Sequence, residues 1–357
     1  MSSPTASLHR LGQSIWLDNI TRTMLDDGTL ARYIRDLSVT GLTSNPTIFN
    51  LAVKSGSAYD PGIAAKVKQG LAGERLFFEL AIEDLVRAAD LFRDVHERTA
   101  GIDGWVSLEV SPHLAYDAKA TLAAARDLCA KAARPNLFIK IPGTPAGLPA
   151  IEEAIFAGVP VNVTLLFTCE QYLAAANAYL RGIERRIDAG LSPKVCSVAS
   201  LFISRWDSAS AADLPGPLKN TLGIAVGERC YRAYRELLAS DRFQRLANFG
   251  ALPQRLLWAS TGTKDPALCD HLYVKALAAP HTVNTMPEST LLAFADHGTL
   301  GSVLSAGGGM AERTLFEIAR AGVDVGTLGE QLQSQGAAAF VKSWDELLQV
   351  IDAKAKG

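Results

Sequence analysis

Leu137-Phe138-Ile139-Lys140-Ile141-Pro142-Gly143-Thr144 places one lysine inside an apolar run of strand length. Burying an ammonium without a partner is costly. Such a lysine either sits at a strand end, with its amine in water or against a carboxylate, or has chemistry to perform. A desolvated lysine gives up its proton more readily and becomes a nucleophile toward carbonyl compounds. Free lysine titrates near pH ~10.4, so under about 0.1% is neutral amine at pH 7. A shift of about three units would recover most of the lost reactive fraction. Phe138, Ile139 and Ile141 are expected to supply that desolvation where they face inward.

Outward from this strand, short apolar runs alternate with longer helical patterns. Strands are expected at 14–18, ending on Asp18, at 38–43 before Ser44-Asn45-Pro46-Thr47, and at 105–110 with Glu109 near its end. Beyond the lysine strand at 137–141 come 159–165 carrying Asn162 and Thr164, 195–199 followed by Ser200, 256–259 followed by Ser260, and a weaker one at 282–283 before Asn284. Between them, Leu76, Leu80, Leu85, Ala88, Ala89 and Phe92 form a helical stripe, as do Tyr172, Ala176, Tyr179, Ile183 and Ile187 after a Thr168-Cys169-Glu170-Gln171 capping box. Phe340, Trp344, Leu347, Leu348 and Ile351 mark a C-terminal amphipathic helix. All three stripes read as core packing. Alternation of strand and helix implies parallel strands joined by crossovers. Eight strands favour a single (β/α)8 barrel, an α/β fold, over residues 1–357. Residues 50–103 are expected to be helical decoration, and Gly307-Gly308-Gly309 a loop before the last helices.

Composition narrows the function classes. With 48% hydrophobic and 20% charged residues, the chain can bury a large core, and a net charge of -2 gives no reason to expect a nucleic-acid or anionic-membrane partner. The N-terminal stretch has no apolar segment of signal-peptide length, and no apolar run approaches the ~18 residues of a membrane span. Cys129, Cys169, Cys196, Cys230 and Cys269 are scattered and odd in number, which fits a reducing, cytoplasmic compartment. The six histidines show no HxH, HxxxH or HExxH spacing, so no metal site is expected from sequence-local ligands. No GxGxxG follows a strand, and Thr261-Gly262-Thr263-Lys264 shares only the tail of a P-loop.

In a barrel of this kind, catalytic groups come from the C-terminal ends of several strands. Asp18, Asn45, Glu109, Lys140, Asn162, Thr164, Ser200 and Ser260 all fall at or near those ends. Singly, each has an ordinary reading as a cap or turn residue: Asp18 or Ser200 could cap a helix, and Asn45 could make an Asx turn before Pro46. Together, an amine, two carboxylates, amides and hydroxyls suit iminium chemistry on a polyol.

Over most of its length the chain resembles the transaldolases. Four blocks carry the resemblance: Trp16-Leu17-Asp18, Thr43-Ser44-Asn45-Pro46-Thr47-Ile48-Phe49, Asn136 to Thr144 with Lys140, and Val161-Asn162-Val163-Thr164-Leu165-Leu166-Phe167. Val198 to Arg205 adds a weaker fifth. The resemblance implies a cofactor-free class I aldolase of the non-oxidative pentose phosphate pathway. Lys140 would attack the C2 carbonyl of a ketose phosphate. Asp18 would take the C4 hydroxyl proton, and Glu109 and Thr164 would hold the water of Schiff-base formation and hydrolysis. Asn45 and Asn162 would bind hydroxyls, and Ser200, Arg205 and Ser260 the terminal phosphate. The substrates implied are sedoheptulose 7-phosphate, fructose 6-phosphate, glyceraldehyde 3-phosphate and erythrose 4-phosphate.

One departure stands out. Many members carry an ASFR-like segment after the seventh strand, whose arginine binds phosphate. Here Gly262 takes the arginine position, and Lys264, two residues on, is the replacement cation or else a solvated loop lysine. The nearest rival is a lyase like fructose-6-phosphate aldolase, which uses a tyrosine for proton transfer. A pyridoxal-phosphate enzyme and a non-catalytic sugar-phosphate binder are further alternatives. The sequence leaves monomer or homodimer open.

Overall fold

The computed structural model describes residues 3–356; the first two residues of the N-terminal stretch and Gly357 lie outside them. Eight parallel strands close into a barrel, each hydrogen-bonded to its neighbours in sequence order. They are β1 (Ser14–Asp18), β2 (Val39–Thr43), β3 (Trp105–Glu109), β4 (Leu137–Pro142), β5 (Val161–Leu166), β6 (Ser197–Phe202), β7 (Gln254–Ala259) and β8 (Val283–Met286). β8 pairs with β1, Ser14 against Val283, and closes the ring. All eight expected strands exist. The largest revisions are at β6, which starts two residues later and runs on to Phe202, and at β8, which starts at Val283 and runs on to Met286. Ser200 is therefore a mid-strand residue and not a helix cap.

Side chains alternate between the barrel interior and the helix layer along every strand. On β4 the inward set is Phe138, Lys140 and Pro142. Phe138 stacks on Trp105 at 4.0 Å between centroids and also meets Trp16, below the lysine. Ile139 and Ile141 have the opposite parity and face the helices. They are buried, but they do not shelter the amine from inside the barrel, so that part of the sequence expectation is corrected.

At the opposite, N-terminal end, Asp103 binds Trp16 Nε1 at 2.7 Å and Ser14 Oγ, while Arg255 donates to Ser14 Oγ at 2.6 Å and to the Thr282 carbonyl at 2.8 Å. These polar groups are mutually spent on closing that end of the barrel.

Residues 50–103 are helical as expected, with helices at Pro46–Lys54, Asp60–Lys68, Gly73–Leu91 and Arg93–Arg98 between β2 and β3. The Thr168 capping box is present: Gln171 N donates to Thr168 Oγ1 at 3.1 Å and Thr168 N to Gln171 Oε1 at 3.2 Å.

The largest surprise is the C-terminal helix, which runs from Val325 to Lys356. Its second half packs Trp344 against Phe77, with 4.9 Å between centroids, as the apolar stripe implied. Its first half lies across the C-terminal mouth of the barrel. Gln333 Nε2 donates to the Gly143 carbonyl at 3.1 Å and the Leu165 carbonyl at 2.9 Å, clipping the helix to the ends of β4 and β5. Leu165 adopts φ 60, a conformation strained for a non-glycine residue, where the β5–β6 register shifts. Close seating needs small residues: a β-carbon at Gly329 would collide with Thr168, and one at Gly336 would stand 3.0 Å from Leu165 Cδ2.

Candidate active site

Strand register sets the centre of the site. Lys140 pairs with Glu109 on β3 and Asn162 on β5, so three polar side chains stand side by side on the inner wall. Lys140 is only 5% exposed and Glu109 4%. Lys140 Nζ donates to Glu109 Oε2 and to the Ser44 carbonyl, both at 3.1 Å. An ammonium has three hydrogens; these acceptors use two and leave one direction toward the cavity. The Phe340 ring, from the C-terminal helix, lies over the amine with its centroid at 5.7 Å. The shelter missing from Ile139 and Ile141 thus comes from a helix some 200 positions later in the chain.

A cavity of about 110 Å³ opens beside this amine at the C-terminal ends of the strands. Asp18, Asn45, Thr164, Ser200, Arg205, Ser260 and Lys264 share its lining with Lys140. Glu109 and Asn162 do not line it; they stand behind and beside the lysine. A larger cavity of about 920 Å³ lies at the opposite end, lined by residues such as Trp105, Phe138 and Arg255, away from the amine.

The two carboxylates are tuned alike. Burial pushes Asp18 above the ordinary carboxylate range, against the pull of Lys140 and of the Thr43 hydroxyl. Its remaining open surface faces the cavity. Thr43 Oγ1 donates to Asp18 Oδ1 at 2.8 Å and meets Thr285 Oγ1 at 2.7 Å, a relay from β8 through β2 to β1 that fixes the carboxylate. Burial likewise raises Glu109, opposed by the adjacent Lys140. Each can therefore hold a proton closer to neutrality than a solvated carboxylate, which suits proton transfer. Glu109 Oε1 and Thr164 Oγ1 are both buried without a hydrogen-bond partner. Buried polar atoms without partners are rare, so both atoms keep hydrogen-bonding capacity next to the lysine strand.

Asn162 is locked: its Nδ2 donates to Ser107 Oγ at 3.1 Å and its Oδ1 accepts from Ser200 Oγ at 2.7 Å. Asn45 caps the helix Pro46–Lys54, its Oδ1 accepting from Ile48 N at 3.0 Å. The local role expected of Asn45, an Asx turn before Pro46, is in the structure a helix cap, and the residue still lines the cavity. Ser260 meets Ser204 Oγ at 2.9 Å, a neighbour that sequence reasoning did not single out.

Arg205 is half-buried, with its guanidinium over the Phe202 ring at 5.0 Å and the Phe340 ring at 5.8 Å. Among the described residues no hydrogen bond or ion pair engages it. Burial pulls it below its usual range, and Asp18 and Glu109 oppose that. An unspent planar fork at a cavity wall is built for an oxyanion. Lys264 reaches the same cavity from the β7–β8 connection while remaining exposed. Gly262 sits against Pro287, where a β-carbon would come within 3.1 Å of Cγ.

If the Arg205 fork holds a substrate phosphate, replacement by alanine would remove up to two charge-assisted hydrogen bonds. Such bonds contribute about 1.5–3 kcal/mol each, and 1.4 kcal/mol is a factor of ten. KM for phosphorylated ketoses is expected to rise at least ~10-fold with little change in kcat. Steady-state kinetics with an unphosphorylated ketose provide the control, because an equal loss there would remove Arg205 from phosphate binding.

Thr43, Thr285, Phe202 and Phe340 were not singled out as site residues from sequence. Thr43 lay within a block already quoted. Phe340 had a weaker signal: upstream of Phe340 and Trp344, the helix face carries Gly329, Gln333 and Gly336 in place of large apolar residues, which marks a close approach and not ordinary core.

Comparison with known proteins agrees with this geometry. The family model for transaldolase/fructose-6-phosphate aldolase matches residues 15–351. A transaldolase of Thermobifida fusca is 44% identical over 357 aligned positions, covering 98% of this chain and 97% of that protein. One of Saccharopolyspora erythraea is 43% identical with the same coverage, and transaldolase 1 of Streptomyces coelicolor is 43% identical over 98% of this chain and 95% of its own length. With a buried lysine paired to Glu109 at the mouth of an eight-stranded parallel barrel, and with matches along nearly its whole length, the chain belongs to the transaldolase/fructose-6-phosphate aldolase family.

Proposed function

We propose that the chain is a transaldolase, a transferase of the non-oxidative pentose phosphate pathway. It moves a dihydroxyacetone unit from sedoheptulose 7-phosphate to glyceraldehyde 3-phosphate, giving erythrose 4-phosphate and fructose 6-phosphate. The supporting observation is the Lys140 amine, held by Glu109 and facing a cavity that Asp18 and Arg205 also line.

The chemistry follows from those positions. Arg205, with Ser260 and Lys264, binds the terminal phosphate and sets the ketone over the amine. The neutral amine of Lys140 adds to C2, its proton passing to Glu109, whose raised carboxyl pKa suits that task. Water leaves the carbinolamine with a proton delivered through Glu109 and Thr164, and the Schiff base forms. Asp18 then takes the C4 hydroxyl proton. The C3–C4 bond breaks, its electron pair passes into the iminium, and erythrose 4-phosphate departs. The enamine left on Lys140 adds through its carbon to the aldehyde of glyceraldehyde 3-phosphate, and Asp18 returns its proton to the new alkoxide. Water, activated by the same pair, hydrolyses the Schiff base. Asn45 contributes to hydroxyl binding, and Asn162 and Ser200 hold the wall against which the intermediate lies.

Transfer is favoured over release by the aromatic surfaces in the lining. They are Phe202 and Phe340, and no tyrosine is among them. Neither ring has a proton to give, so the proton held by Asp18 is kept for the alkoxide that forms on addition to the acceptor aldehyde. Fructose 6-phosphate with erythrose 4-phosphate should yield sedoheptulose 7-phosphate and glyceraldehyde 3-phosphate, while fructose 6-phosphate alone should release almost no dihydroxyacetone. Release without acceptor at the rate of transfer would make the enzyme a lyase.

A further inference from the structure

A second chemical cluster stands outside the site just described, on the connection between β7 and β8. Cys269, Asp270 and His271 each offer one ligand atom, and these three atoms lie within 4.8 Å of one another. His271 Nδ1 is 2.9 Å from Asp270 Oδ1. A fourth donor comes from a different element: Nε2 of His297, the last residue of the helix Glu288–His297, lies 3.1 Å from the same carboxylate oxygen.

We propose that Cys269, Asp270, His271 and His297 form a zinc site that staples the β7–β8 connection to the end of the helix Glu288–His297. The donor set is one thiolate, one carboxylate and two imidazoles, the mixture that zinc takes in four-coordinate sites. Zinc–ligand bonds of about 2.0–2.3 Å give tetrahedral edges of roughly 3.3–3.7 Å. Two imidazole nitrogens at 2.9 and 3.1 Å from one carboxylate oxygen are already close to that spacing. The thiol, within 4.8 Å of the Asp270 and His271 donors, and His297, held at Asp270 from its own helix, would close in by side-chain rotation as the ion binds. His271 is buried and its ring packs on Phe294 at 5.5 Å, so one ligand is fixed in advance. Cys269, Asp270 and His297 are exposed, which leaves the cation an entry path. A histidine–carboxylate pair alone explains the contacts of His271 and His297; it does not explain a thiol in the same group.

The consequence reaches the phosphate pocket. Thr263 Oγ1 donates to the Cys269 carbonyl at 2.9 Å, closing the loop whose next residue, Lys264, lines the cavity. A cation at the base of this loop restrains the segment that delivers Lys264. The site is structural, and its existence does not depend on the reaction the barrel catalyses.

The test uses the full chain, stripped with a chelator and titrated with zinc and separately with cobalt(II). One zinc should bind per chain. Cobalt should give the intense visible bands of four-coordination and a sulfur-to-metal charge-transfer band. Cys269→Ser should abolish the charge-transfer band, and His297→Gln should weaken zinc binding by at least ~10-fold. Amide exchange in residues 263–271 should slow when zinc is added. Absence of saturable binding, a six-coordinate cobalt spectrum, or a charge-transfer band that survives in Cys269→Ser would overturn the proposal. These readouts need no turnover, so they remain informative even if the transaldolase reading fails.

Discussion

Lys140→Ala is expected to lose turnover by on the order of 10⁴-fold or more, because no other amine can form the covalent intermediate. Arg205 has no nucleophilic neutral form under these conditions, and Lys264 is an exposed lysine on a loop. The substitution also separates a buried pair. Removing one partner of such a pair costs about 3–5 kcal/mol when the other stays charged. Glu109 can offset much of that cost by taking up a proton once the lysine is gone, since burial raises its carboxyl and Lys140 is the main charge opposing that. The variant should therefore fold. Lys140→Met, which keeps the stem and the contact with Phe340, is the packing control. Circular dichroism and thermal melts should show both variants native, with neither trapping a ketose on borohydride addition. Substantial turnover in either would remove Lys140 from the chemistry.

Asp18→Asn is expected to separate the two halves of the reaction. The amide keeps the shape and can still meet Thr43, but it cannot take a proton. Schiff-base formation, which relies on Lys140, Glu109 and Thr164, should persist. Carbon–carbon cleavage should slow by about 10²–10⁴-fold, the usual contribution of a positioned general base. Trapped adduct would then accumulate with intact ketose phosphate in place of the three-carbon fragment. The pH profile carries the same sign. Asp18 must be ionised to act as a base, and burial raises its carboxyl. Cleavage in the native enzyme should thus fall as pH drops through a value above that of a solvated aspartate, and in Asp18→Asn that acidic limb should vanish. Normal cleavage in the variant would assign the proton to another group.

The fold was legible because each strand is a short apolar run and each crossover helix carries a periodic stripe. β4 was the clearest, as its lysine interrupts an otherwise apolar run. Boundaries were less legible. β6 continues through Ser200 to Phe202 because its paired neighbour β7 offers hydrogen-bond partners as far as Ala259, which no local pattern announces. Asp18, Lys140 and Glu109 came from sequence as strand-end polar residues; register sets Glu109 beside Lys140, and closure of the barrel brings Asp18 to the cavity that Lys140 lines. The shelter over Lys140 did not. Parity turns Ile139 and Ile141 outward, and the cover comes from Phe340 through a tertiary contact between positions 140 and 340.

Arg205 and Lys264 illustrate how a site is distributed over elements. The missing cation at position 262 is a glycine packed against Pro287, where a β-carbon would need that ring to give by a few tenths of an ångström. Arg205 on the β6 side presents a guanidinium stacked between two phenylalanines with no protein acceptor. That arrangement would offer a phosphate a planar donor from the short helix Ser204–Ser210 and a point charge from a loop.

The nucleophile itself is the most direct thing to measure. Native enzyme reduced with borohydride in the presence of fructose 6-phosphate, digested and sequenced by mass spectrometry, should carry a three-carbon dihydroxyacetone adduct on the peptide containing Lys140. An adduct on Lys264 or on any other lysine, or none under conditions of active turnover, would contradict the assignment of Lys140 as the nitrogen that bonds to the sugar.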